Sequence, residues 1–360
     1  ESGVDLRLFA PCSKGLEPAL EGEVRALGAG DVEMRRGGVA FGGDRRLAYA
    51  ANLWLRSAIR VQEEILTAEV EDADDVYAAA STLDWNRWIT PGLTLAVSAS
   101  TRDTPGLKHS GHAALRVKDA VVDAIRARHK RRPSVDTKQP DVRLKLVVQH
   151  GRMRLYRDLS GSSLHKRGWR PIQVKSPLNE ALAAGLLLLT DWDRVSPIVD
   201  PMCGSATFLV EAAGLAMDRA PGLGRTIAFH RWPDYDAATW DVLVAEAEAR
   251  ARPTLPFTLT GGDHHPGALS LARKGLEAAG VAHVIELREA DARDLVPKEK
   301  PSTVVVNPPY GVRLGPGEDL DEAWTSLGNF LHRQCKGATA WVLSGSRTLT
   351  RRLGLRTSRR

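Results

Sequence analysis

The stretch VVVNPPYGVRLG, residues 304–315, runs three β-branched apolar residues straight into an asparagine, two prolines and a tyrosine. A buried strand stopped by prolines, which lack the N–H a sheet requires, would account for it without any function. Its surroundings decide the fold. SPIVD, FTLTGGD, HVIELREAD and ATAWVLSG are short apolar runs of the same kind, each followed by a helical or loop segment. That alternation predicts an α/β parallel sheet.

Ligands of open parallel sheets collect at the carboxyl ends of the strands, and four of these runs end in a polar signature. In IVDPMCGSATF, Asp200 closes a strand, Gly204 allows a tight turn and a helix begins near Ala206, so a ligand could approach the backbone and free helix N–H groups; a purely structural turn explains the glycine equally well. Asp263 of LTGGD could accept two ribose hydroxyls or could cap the helix starting at Pro266. Asp291 of LREADARDL could receive an exocyclic amine or make a turn. In the opening stretch, the Asn307 side-chain carbonyl and the Pro308 carbonyl, stiffened by Pro309, would form a pair of acceptors for an amine. Tyr310 offers a face for a planar base. Fourth in this order, the ligand reading of NPPY outweighs the strand terminator. His264 and His265 point in different directions with no third ligand nearby, so surface or ligand-packing roles fit them better than metal; no metal site is expected.

With 360 residues and 43% apolar content the chain has the size of two or three domains. Its longest apolar run, ALAAGLLLL, is far short of the ~20 residues that span a bilayer, so it reads as a buried helix. Three scattered cysteines suit a reducing, cytoplasmic setting. The net charge of +6 conceals an asymmetry: residues 101–175 hold nineteen Lys or Arg against six Asp or Glu, a local +13 that leaves the remainder at −7. A solvated face is the ordinary explanation; a domain-sized excess favours a polyanion partner. N-terminal to this, GLEPALEGEVRALGA is an amphipathic helix and GGVAFGG a short strand. DVRLKLVVQHGRMRLYRDLSG reads as a hairpin turning at His150 and Gly151, after a helix over 112–130 with Val117, Val121, Ala124 and Ile125 on one face. SGSSLHKRGWRPIQVKSP has connector composition, either solvated or touching RNA.

DPMCGSATF, GGD, EADARDL and NPPYGVRLG, in that order, resemble the class I S-adenosylmethionine-dependent methyltransferases. More narrowly they resemble the THUMP-domain RNA guanine-N2 methyltransferases, the RlmL-like group acting on 23S rRNA together with its tRNA relatives. GLEPAL, GGVAF, AANLWLRSAIRV, RVKDAVVDAIR, DLSGSSLHKRGWR, SPLNEALAAGLLLL and WVLSG extend the likeness over nearly the whole chain. The resemblance implies a Rossmann-like class I methyltransferase domain (176–360) preceded by a ferredoxin-like N-terminal unit (1–50), an α+β THUMP RNA-binding domain (45–158) and a linker (159–175). It further implies a monomer. Ala206 stands where the family usually has glycine, and the two strands that complete the sheet as a hairpin in relatives are not expected before the end at LGLRTSRR.

Carried over residue by residue, the resemblance gives a cofactor site of Asp200, Pro201, Gly204, Ser205 and Thr207 around the methionine end and Asp263 on the ribose. His264 stands beside the adenine, Asp291 with Ala292 at its amine, and Ser176 with Pro177 closes the methionine pocket. Asn307, Pro308, Pro309 and Tyr310 form the catalytic loop, with Asn307 also facing the cofactor. Lys118, Arg131, Arg132, Lys166, Arg167 and Arg313 are the expected RNA contacts, made mostly to phosphate. The expected reaction is methylation of a guanosine N2 amine in RNA, in 23S rRNA first and tRNA second. NPPY also serves adenine-N6 methyltransferases, and an RNA-binding factor with weak catalysis is the non-enzyme alternative.

Overall fold

The computed structural model describes residues 6–170, 178–310 and 319–358. They fall into two compact units, Glu1–His165 with Gly222–Glu246, and Lys166–Pro221 with Ala247–Arg360. Among the described residues no helix is long and apolar enough to cross a membrane.

The first unit carries β1 (Leu6–Pro11), α1 (Glu17–Ala26), β2 (Gly30–Arg35), β3 (Gly38–Gly43), α2 (Arg45–Trp54), β4 (Gln62–Glu69), α3 (Ala73–Ser81), β5 (Thr94–Arg102), α4 (Ser110–His129), β6 (Ser134–Val135), β7 (Val142–Gln149) and β8 (Arg152–Asp158). One eight-stranded sheet runs through it in the order β2-β3-β1-β4-β8-β7-β5-β6. Strand β4 joins the two halves, because Gln62 and Glu63 pair with β1 on one side and β8 on the other. The β7–β8 hairpin turns at His150 and Gly151, whose φ values of +50° and +73° are those of a two-residue primed turn. Helix α4 buries Val117, Val121 and Ile125 and ends at Lys130, a left-handed cap with φ 58°.

Two stretches pack differently from their sequence reading. The first half of the expected connector is ordered on the sheet: Leu159 and Leu164 donate their N–H groups to Val61 and Ile59, and buried Ser160 donates its hydroxyl to Asn52 at 2.6 Å. Residues 222–246, assigned from sequence to the methyltransferase domain, belong to the first unit. The cause is aromatic: Phe229 stacks on Tyr49 at 4.2 Å, Trp240 meets the same ring edge-on, and Trp232 donates Nε1–H to the Asp141 carbonyl. Gly222 lies so close to Leu53 that a Cβ would sit 2.7 Å from its Cα. Helix α7 (Ala237–Arg250) begins in this unit and ends in the other.

The second unit holds α5 (Glu180–Leu189), β9 (Ile198–Asp200), α6 (Thr207–Ala216), β10 (Leu259–Asp263), α8 (Pro266–Ala278), β11 (Ile285–Glu289), β12 (Thr303–Val306), α9 (Leu320–Gln334), β13 (Thr339–Val342) and α10 (Arg347–Arg351). Its five strands are all parallel, in the order β11-β10-β9-β12-β13. The chain leaves β9 toward β10 and later returns to β12 on the opposite side, so the topological switch lies between β9 and β12. Both faces of the sheet are covered, which is why β12 reads as an unbroken apolar run. Val304 and Val306 pack with Trp324, Leu327 and Phe330 of α9, and Val305 with the cluster on the other face. Each such fully buried side chain contributes on the order of 1.5–3 kcal/mol.

Candidate active site

The carboxyl ends of the neighbouring strands β10, β9 and β12 carry Asp263, Asp200 and Asn307 in turn. Asp200 is 2% exposed at the end of β9, and its Oδ1 accepts the Met202 N–H at 3.1 Å. Burial pushes its carboxyl up to about 8, with the nearby charge of Asp263 adding to the effect. Asp263 ties two loops together, accepting the Gly204 N–H on Oδ2 and the His265 N–H on Oδ1, each at 2.9 Å. One lone pair on each oxygen remains for a ligand hydroxyl.

The glycines here divide by environment. A Cβ on Gly261 would strike Leu209 and Leu287, and one on Gly262 would strike Leu295, so both serve packing against the sheet. Gly204 is different: with φ +52° its missing Cβ would meet nothing within 4 Å, so the loop presents bare backbone to open space in front of the α6 N-terminus. A flat ligand could rest there. Ala206, buried, adopts φ 63° in the same loop, a left-handed conformation that glycine holds without strain. Pro201 and Ala292 are buried supports.

The sequence reading missed the clamp on this loop. Arg170 donates to Ser205 Oγ at 3.1 Å, to Thr207 Oγ1 at 2.9 Å, to Glu180 Oε1 at 2.8 Å and to the Leu178 carbonyl at 3.0 Å. It pins the start of α6 to the start of α5. A single arginine in a Gly- and Ser-rich stretch carries no periodic signal that would have distinguished it from solvated charge.

Asp291 follows β11. Its carboxylate accepts the Arg293 N–H at 2.9 Å and Nε at 3.0 Å. Burial pulls this carboxyl upward, but the Arg293 bonds and charge outweigh that and hold it below its ordinary value. Arg293 in turn donates to Glu322 of α9 at 2.7 Å.

Beyond β12, Asn307 and Tyr310 are half-buried. Asn307 Oδ1 is buried and has no hydrogen-bond partner among the described residues. A buried carbonyl left unpaired costs about 1–3 kcal/mol, a penalty that a donating ligand would remove. The Pro309 carbonyl is taken: Trp324 of α9, fully buried, donates its Nε1–H to it at 2.9 Å and holds the loop. The apolar periodicity of α9 marks Trp324 as core and says nothing of this bond. His264 and His265 are exposed with rings 3.9 Å apart. Among the described residues no group of three His, Cys, Asp or Glu side chains is arranged to hold a metal ion.

The expected RNA contacts separate. Arg131 and Arg132 are exposed just beyond α4, Lys118 is half-buried on that helix and Lys166 is exposed. Arg167 requires a correction: its side chain is 5% exposed and grips the equally buried Glu211 of α6 through Nε and Nη2, at 3.2 and 3.3 Å. An arginine held in that fork is not offered to phosphate. Ser176, Pro177 and Arg313 lie outside the described residues.

The family model described as the RMKL-like methyltransferase domain matches residues 167–360, that of the RlmL ferredoxin-like domain residues 7–62, and that of the THUMP domain residues 70–158. Over 98% of its length the chain is 37% identical to the Synechocystis protein named "Putative RNA methyltransferase slr0064", of which it covers 92%. It is 41% identical, again over 98%, to the ribosomal RNA large subunit methyltransferase K/L of Syntrophotalea carbinolica, and spans about half (51%) of that longer protein. The crystal structure of SMU.472 complexed with SAH superposes with a TM-score of 0.88 at 26% identity, covering 99% of this chain and 93% of that one. The chain belongs to the RMKL-like methyltransferase family, with an RlmL ferredoxin-like domain and a THUMP domain ahead of its methyltransferase domain.

Proposed function

We propose that this chain transfers the methyl group of S-adenosylmethionine to the exocyclic N2 amine of a guanosine in RNA, in the large-subunit rRNA. The observation that carries the reading is the buried, unpartnered Asn307 Oδ1 at the switch point, beside half-buried Tyr310. The cofactor fits the residues present. Bare backbone at Gly204 and the Asp200, Ser205 and Thr207 side chains would receive the methionine end, Asp263 the ribose hydroxyls, and Asp291 the adenine amine, for which it must share its Arg293 bonds. Ala292 would line the base. When bound, S-adenosylmethionine supplies a methyl group already activated by a positive sulfur.

The chain's own task is then positioning. A guanine amine is a poor nucleophile because its lone pair is delocalised into the ring. Accepting one amine hydrogen at Asn307 Oδ1, with the Pro308 carbonyl as second acceptor, localises that pair; as the nitrogen–methyl bond forms the donor's sulfur–methyl bond breaks, and the nitrogen gives up one proton to water. Tyr310 stacks on the base, which must leave its helix to arrive. The Pro309 carbonyl accepts the Trp324 Nε1–H, and that bond stiffens the loop. Lys118, Arg131, Arg132 and Lys166 hold the flanking phosphates.

RNA support comes from the basic stretch 101–175 and from the names of the relatives, one an RNA methyltransferase and one a large-subunit rRNA methyltransferase. The test is digestion of RNA labelled by the purified protein, with identification of the modified nucleoside. N2-methylguanosine is expected, and Asn307→Ala should lose about 100-fold or more in turnover, as when one preorganised polar partner of a transition state is removed, with cofactor binding retained. Label appearing in N6-methyladenosine, or undiminished turnover by the variant, would remove the assignment.

A further inference from the structure

A hollow of about 360 Å³ opens in the first unit, on elements that contribute nothing to the strand-end cluster. Its walls come from β1, α2, β4, β8, the residues around Trp88, and Phe229 to Asp234. Arg157 lines it but is fully committed. Its side chain is 6% exposed, gives Nη2 to Glu63 at 2.7 Å and to Asp234 at 3.0 Å, and lies over the rings of Trp232 and Trp88 at 4.4 and 5.0 Å. With that guanidinium neutralised by two carboxylates, it acts as a rigid brace.

The charge left on the wall is unbalanced. Arg7, Arg45, Arg87 and Arg157 line it against Glu63, Glu64 and Asp234, a net of +1. Arg7 is 79% exposed with Glu64 at 3.8 Å, Arg45 is exposed and gives Nη1 to a neutral carbonyl, that of Asp234, and Arg87 is exposed. Glu64 is 13% exposed; it accepts the Thr67 hydroxyl on Oε1 and the Tyr156 hydroxyl on Oε2, with Arg7 3.8 Å from the first oxygen and Arg154 3.8 Å from the second, so a ligand amine would share the carboxylate with them on its remaining lone pairs. Trp88 adds a half-buried aromatic surface. Cations, one acceptor and an indole thus share a space at the lower end of the ~300–1,000 Å³ typical of small-ligand sites. A simple anion would use only the arginines, and an apolar ligand would strand Glu64. A planar base bearing N–H donors with an attached phosphate would use all of them.

We propose that this hollow binds one nucleotide unit, its base against Trp88 and an amine toward Glu64, its phosphate toward Arg7 and Arg87. The nucleotide is either an unstacked residue of an RNA strand or a free mononucleotide. The proposal goes beyond methyl transfer and does not depend on it, since neither Asn307 nor the cofactor loops take part.

The test uses the full chain, with binding measured by calorimetry for AMP, GMP, CMP and UMP, for a single-stranded RNA hexamer, and for an abasic ribose-phosphate hexamer. Arg7→Glu, Arg87→Glu and Trp88→Leu are the variants, and retained S-adenosylmethionine binding reports their integrity. Base stacking makes the hexamer bind about tenfold tighter than its abasic counterpart, and Trp88→Leu erases that advantage. Each charge reversal weakens the preferred ligand about tenfold. Preference for the hexamer assigns the site to RNA, and preference for a mononucleotide assigns it to the free ligand. Should Trp88→Leu fold poorly, the two reversals at exposed side chains decide by themselves. Unchanged affinity for every probe in both reversals overturns the proposal. The same titrations on Asn307→Ala should match the parent chain, so loss of this inference and loss of the methyl-transfer reading are distinguishable.

Discussion

Asp200 makes the stability of the ligand-free protein depend on pH in a direction opposite to that of an ordinary paired carboxylate. Its ordinary value is 3.8, and burial raises it to about 8. Between these limits the folded protein holds a proton that the unfolded chain gives up. Stability is therefore greatest below about pH 4, falls as pH rises, and levels off just above pH 8. At about 1.4 kcal/mol per pH unit the whole loss has a ceiling of about 6 kcal/mol, and water entering the loop reduces it. A carboxamide of the same shape cannot ionise, so Asp200→Asn removes the slope. The assay is urea unfolding of both proteins at pH 5, 7 and 9, taking the difference between them at each pH so that other titrating groups cancel. The variant should gain on the parent by several kcal/mol between pH 5 and 9. S-adenosylmethionine, a cation at its sulfur and ammonium, should favour ionised Asp200 and expel a proton on binding near pH 7, seen as a dependence of calorimetric heat on buffer ionisation. Parallel pH profiles for parent and variant would refute the argument.

Trp324→Phe keeps the packing in the α9 core but removes the donor to the Pro309 carbonyl. Turnover should fall about tenfold with cofactor affinity unchanged, the cost of one hydrogen bond that orders the loop; equal losses in both would mark a folding defect instead. Arg167→Ala leaves Glu211 buried without its counter-ion and should cost about 3–5 kcal/mol in unfolding, while the salt dependence of RNA binding stays as it was. Ala206→Gly should leave stability within about 0.5 kcal/mol, because relief of about 1 kcal/mol of left-handed strain is offset by about 0.8 kcal/mol for the lost buried methyl. Ala206→Val, which adds a β-branch in the same conformation, should lower the melting temperature by several degrees.

Much of the second unit was legible because its signals are local. A β-branched run ending in Pro-Pro can only be a strand with both faces covered, and Asp or Asn at successive strand ends marks one edge of a parallel sheet. The hairpin at His150 and Gly151 was equally plain, since both residues tolerate positive φ. What escaped reading depends on partners far apart in the chain. Nothing beside Arg167 hints at Glu211, so a buried fork looked like one more basic residue. Trp324 has the spacing of a core residue, and its indole nitrogen finds a carbonyl fifteen positions upstream. Residues 222–246 lie within the stretch 176–360 assigned from sequence to the methyltransferase domain, while Phe229 answers to Tyr49, about 180 positions earlier. The sheet shared across β4 has the same character: its hydrogen-bond ladder joins strands from both parts of the chain, which no local signal announces.

The return of residues 222–246 to the first unit sets an order of events during synthesis. A ribosome that has released His165 has delivered every strand of the eight-stranded sheet, but Tyr49 still lacks Phe229, and Arg157 lacks one of its two carboxylates. At about 5–20 residues per second the missing piece follows some seconds later. Until then the nascent sheet shows an unfinished aromatic patch to chaperones and proteases, and a nick in the stretch just ahead of Gly222 would separate that patch from its cover.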